Sequence, residues 1–98
     1  MAVYYFMIEA VPCADSEERL SCGGAYINCW VKAETEKAAL AKVMNYAAEE
    51  KWTCKNVEEV FPARREMYLD EPESLAGFDE AQRYGLSAIF YTWPLEEA

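Results

Sequence analysis

VYYFMIEAV (Val3–Val11) and GAYINCWVKA (Gly24–Ala33) decide the fold, because each is apolar or aromatic in both alternating phases. One phase carries Tyr4, Phe6, Ile8 and Ala10, matched by Ala25, Ile27, Cys29, Val31 and Ala33. The other carries Val3, Tyr5, Met7 and Val11, matched by Tyr26 and Trp30. Successive side chains of a strand point to opposite sides of its sheet. Two strands of this kind therefore describe a sheet with two apolar faces, and each face needs a covering.

The rest of the chain reads outward from this pair. Pro12 ends the first strand, and the polar stretch Cys13–Gly23 separates the two, which pair as an antiparallel hairpin with a long excursion. Thr35 is placed to cap a helix whose stripe is Leu40, Val43, Met44 and Ala47, with charged residues on the other side. A third strand is expected over Thr53–Phe61, ending at Pro62, and a short edge strand over Arg64–Leu69. A second helix follows, with Ser74 as cap, Leu75, Phe78, Ala81 and Gln82 on one face, and Gly85 as its left-handed terminator. Leu86–Trp93 is again apolar on both faces, which predicts a central strand, and Pro94 with the acidic tail 95–98 closes the sequence.

The element order β-β-α-β-(β)-α-β predicts a single α+β domain over residues 1–98, a two-layer sandwich with both helices on one face of a mostly antiparallel four- or five-stranded sheet. From Ala25 onward the order resembles the ferredoxin-like plan with one extra strand in front. That plan is shared by many functions and specifies none.

Composition narrows the function classes. Eighteen acidic and nine basic residues give a net charge of −9, the opposite of what a phosphate backbone or an anionic membrane surface attracts. Apolar content of 53% argues for a folded chain throughout. No segment approaches the ~20 apolar residues of a membrane span, and the N-terminal stretch lacks the basic region of a signal peptide. A cytoplasmic location is expected. Cys13, Cys22, Cys29 and Cys54 form no C-x-x-C pair and no histidine is present, so neither a metal site nor a bound cofactor is expected. Cys29 reads as a small core residue, and Cys13 and Cys22 as free thiols flanking a loop they could otherwise staple.

The usual catalytic vocabulary is missing. The commonest general base is absent, as are the phosphate-binding, dinucleotide and nucleophile-elbow motifs. Adjacent carboxylates such as Glu58-Glu59 diverge on a strand or helix and make no acid–base dyad. Glu9 lies within an apolar strand and is expected to pair with Lys32, while the doublet Arg64-Arg65 suits surface ion pairs with Glu58, Glu59 or Glu66.

With both helices assigned to the Phe6–Ile27–Phe90 face, the other face carries Tyr5, Met7, Tyr26, Trp30, Tyr91 and Trp93 as the candidate binding surface. Tyr, Trp and Met are enriched at interface cores. Cover by the same chain, to which the Cys13–Gly23 loop is long enough to contribute, is one reading of this face; the favoured expectation is a non-enzymatic domain that pairs through it, either with itself as a homodimer or with another protein. An inhibitor or immunity-type protein against a basic partner is the alternative, and a small enzyme or small-molecule binder with a sheet-face pocket is the third.

Overall fold

The computed structural model describes residues 1–95, so residues 96–98 of the acidic tail lie outside the described residues. Among the described residues the chain forms β1 (Ala2–Pro12), β2 (Cys22–Ala33), α1 (Glu36–Glu49), β3 (Trp52–Ala63), α2 (Pro72–Tyr84) and β4 (Leu86–Pro94). Two 3-10 turns, Glu17–Leu20 and Arg65–Tyr68, complete it. The sheet is antiparallel throughout, in the order β3-β1-β2-β4. The β1–β2 hairpin is its centre, with Phe6 opposite Cys29 and Ile8 opposite Ile27.

The two helices lie on opposite faces, which corrects the expectation of one helical layer. Ala39, Val43 and Ala47 of α1 pack with Phe6, Ile8, Ile27 and Val31. Phe78 and Ala81 of α2 pack with Val3, Tyr5 and Trp30 on the reverse side. The physical cause is that both faces of the β1–β2 hairpin are apolar, and each attracts a helix. Strands β2 and β3 both run antiparallel to β1, so α1 is the crossover between parallel strands. The Arg65–Tyr68 turn and α2 then return the chain over the other face, with α2 lying along β4 and β2.

The ferredoxin-like order is not found. That plan needs a hairpin in the middle of the chain, and Arg64–Leu69, expected as its second strand, instead folds as the Arg65–Tyr68 turn. The turn tucks Tyr68 edge-on against Trp30, with centroids 5.8 Å apart and planes at 87°. Burial of one aromatic ring there outweighs the weak alternation of the stretch. β4 is an edge strand rather than a central one, its apolar sides resting on α1 and α2 rather than between neighbouring strands. β3 runs through Pro62 to Ala63, which an edge position allows because only one side of the strand must pair.

Local signals account for the helix ends. Thr35 Oγ1 accepts the Ala38 amide at 3.1 Å, capping α1 as its sequence predicts. Gly85 terminates α2 at φ 99°, a left-handed conformation that suits glycine. The start of α2 differs: Pro72 opens the helix after Glu71, and Ser74 lies within its first turn.

Candidate functional site

Strand register divides the α2 face into rows. Directly paired residues on neighbouring strands share a face, so the rows can be read across β3, β1, β2 and β4. The uppermost complete row is Phe61, Tyr5, Trp30 and Ser87. Below it come Glu59, Met7, Asn28 and Ile89, then Asn56, Glu9, Tyr26 and Tyr91. Beyond these, Val11 pairs with Thr53, and Gly24 pairs with Trp93 beside a register shift in β2.

The top row is core. Trp30 is 1% exposed, Tyr5 stacks at 5.4 Å from it and 4.8 Å from Phe61, and Phe78 and Tyr68 close over them. Gly77 of α2 rests directly on the Trp30 indole, and its carbonyl accepts the Ser87 hydroxyl at 2.5 Å. Burial first, then the nearby Glu59 carboxylate, pushes the Tyr5 hydroxyl up to about 12. Two of the six residues assigned to the binding surface, Tyr5 and Trp30, are therefore covered by the chain itself. The cover is α2 with the Arg65–Tyr68 turn, not the Cys13–Gly23 loop.

The lower rows remain open. Tyr26 is 37% exposed and Tyr91 46%. Trp93 packs on Tyr26 at 5.2 Å and lies flat over Gly24, where any Cβ would fall inside its indole. The Gly23-Gly24 pair is thus a seat for an aromatic ring as well as a strand entrance. Met7 and Ile89 are half-buried between the covered and open rows. The structure brings Met7, Tyr26, Tyr91 and Trp93 together, with Ile89 as a member that sequence alternation could have supplied.

Charge is distributed unevenly over this floor. The β3–β1 side carries Glu59, Glu9 and Asn56, and the β2–β4 side carries the aromatic rings. Glu73, in the first turn of α2, accepts a hydrogen bond from the Tyr91 hydroxyl at 3.3 Å. Partial burial and this carboxylate raise the Tyr91 pKa. Glu9 does not meet Lys32: Val3 is the residue opposite Lys32, and the lysine ammonium donates to the Gln82 carbonyl at 3.2 Å. Arg65 likewise bypasses the expected glutamates and forms a two-pronged pair with Asp79, at 2.9 and 3.1 Å. That pair fastens the turn to α2, and its hydrogen bonds hold the Asp79 carboxyl below its usual range.

No group of three or more metal-ligating side chains is assembled among the described residues. The four cysteines are free thiols; Cys29 is fully buried and its thiol is pushed up to about 12, chiefly by burial. No helix among the described residues is long and apolar enough to cross a membrane. A shallow apolar groove of about 310 Å³ lies on the α1 face, lined by Phe6, Leu40, Val57 and Val60. It is at the small end for a ligand pocket and away from the open rows. Comparison with known protein families, curated proteins and solved structures finds no match to this chain.

Proposed function

We propose that this chain is a non-enzymatic protein-binding domain whose open half-face takes a basic protein partner. One observation carries the reading: the exposed Tyr26 and Tyr91, with the half-buried Trp93 packed on Tyr26, form an aromatic strip flanked by Glu9 and Glu59 on one side and Glu73 on the other. Aromatic side chains supply large contact area, and the carboxylates select and steer a cationic surface. A net charge of −9 extends that steering over the whole molecule. Blocking a basic enzyme, as an inhibitor or immunity-type protein does, is the form of binding this charge suits best.

A homodimer through the same rows would set Glu9, Glu59 and Glu73 of one copy against those of another, which disfavours self-pairing. The free thiols fit a reducing, cytosolic setting. The test is a pull-down read by difference between the native protein and a Tyr26→Ser/Tyr91→Ser variant. A basic protein retained at low salt, released at high salt and lost with the variant supports the reading. Equal retention by both proteins overturns it. A light-scattering mass of two chains, abolished by the same variant, replaces it with the homodimer.

A further inference from the structure

We infer that the outer edge of β4 is a docking rail on which an extended, lysine- or arginine-bearing segment of a protein partner adds as a fifth strand. The inference deepens the protein-binding reading above and rests on it, but it names a different contact: main chain at the sheet edge rather than side chains on the face.

The two edges of the sheet are built differently. Natural proteins protect exposed edges with bulges, prolines and charged side chains. β3 has all three: two register shifts against β1, Pro62, and the charged residues Lys55, Glu58 and Glu59. β4 has none of them along Leu86–Trp93, where the sequence LSAIFYTW carries no charge or proline. Its ladder to β2 is continuous from Leu86 to Trp93 opposite Gly24. Beyond that ladder, no main-chain group of residues 87–93 has a partner among the described residues. An uncharged, regular edge of this length offers alternate amides and carbonyls to an added strand.

Charge on both sides of the edge says which strand. On the α2 side, Glu73 bonds Tyr91. On the α1 side, Glu18 and Glu50 line a depression with Trp52, Phe90 and Thr92. Tyr46 of α1 packs against Phe90 with ring centroids 6.4 Å apart. The opposite end is of mixed sign: Lys42 and Glu49 lie beside Leu86, and Arg83 and Glu80 near Tyr84. An incoming strand alternates its side chains between the two faces. Cationic residues over the Phe90–Thr92 half would meet Glu73 on one face and Glu18 and Glu50 on the other.

The probe is an acetylated, amidated octapeptide in which pairs of lysines alternate with pairs of valines, so that an extended strand carries lysine on both faces. Two controls accompany it: the same peptide with glutamate for lysine, and a pair of peptides N-methylated at either set of alternate residues. Binding is followed by amide shifts and hydrogen exchange of the isotope-labelled full chain. The lysine peptide is expected to slow exchange at alternate amides within Ser87–Trp93 by tenfold or more. The glutamate peptide should not bind. One of the N-methylated pair should lose at least tenfold in affinity, and a Glu50→Gln/Glu73→Gln variant should bind several-fold more weakly with a flatter salt dependence. Equal binding of all the peptides overturns the inference, as does absence of binding. So does a light-scattering mass of two chains with protected β4 amides, which would mean that a second copy holds the edge. Shifts confined to Met7, Tyr26 and Trp93 overturn the edge while leaving the face reading standing. Loss of the pull-down difference removes the face reading independently of β4.

Discussion

Gly77→Ala should destabilise the protein, although helix propensity alone says the reverse. Within an exposed helix, alanine is about 1 kcal/mol better than glycine. At position 77 a Cβ would stand 2.7 Å from both Cε3 and Cζ3 of Trp30. That indole cannot swing away: it is 1% exposed, with Tyr5 at 5.4 Å and Tyr68 at 5.8 Å from it. Nor can α2 lift without stretching the bond from Ser87 to the Gly77 carbonyl, a contact worth about 1 kcal/mol. Overpacking of this kind costs about 1–3 kcal/mol. Set against the propensity gain, the net loss is up to about 2 kcal/mol. For a domain of this size each kcal/mol lowers Tm by roughly 4–8 °C. Thermal and urea unfolding followed by circular dichroism and tryptophan fluorescence measure it. Gly85→Ala is the control: no atom lies within 4 Å of its added Cβ, so only the φ of 99° opposes it and the Trp30 environment is untouched. A Gly77→Ala protein more stable than the native one would refute the seating of α2 on Trp30.

The other predictions follow from the same division of the face. Trp30→Ala should cost about 3–5 kcal/mol in urea unfolding, as removal of a core aromatic does, whereas Tyr26→Ser and Tyr91→Ser should each change stability by less than about 1 kcal/mol. Gly24→Ala should eject the Trp93 indole from its seat, shifting tryptophan emission to the red and weakening partner binding with little loss of helix signal. The Tyr5 and Cys29 pKa values, both raised to about 12 from 10.0 and 9.0, mean that the fold retains these protons more firmly than the unfolded chain. Their contribution is complete below pH 9 and is lost as pH rises toward 12, so the urea midpoint should fall progressively between pH 9 and pH 11. A midpoint constant over that range would contradict it.

Much of this arrangement was legible in the chain. Period-two alternation located the hairpin, and Thr35, the Leu40–Ala47 stripe and Gly85 placed the helices. The assignment of both helices to one face failed because a stripe says that a helix is covered, not which side of the sheet covers it. The doubly apolar pattern of Tyr5 and Trp30 fits cover by the same chain as well as an outside partner, and alternation alone does not separate the two. The position of β4 was hidden because an edge strand flanked by helices on both faces has the composition of a central one. Glu73 and Glu59 were invisible as site residues: their approach to Tyr91 and Met7 depends on long-range register. Nothing local at Gly24 announces that a tryptophan nearly seventy positions later will lie on it.

A solvent-borne paramagnetic probe gives the most direct test of a face that is half core and half binding surface. With the isolated protein at millimolar concentration, broadening of side-chain resonances of Tyr26 and Tyr91, with Tyr5 and Trp30 untouched, is the result this account predicts. Broadening of Trp30, or protection of Tyr26 and Tyr91 without any partner present, would contradict it.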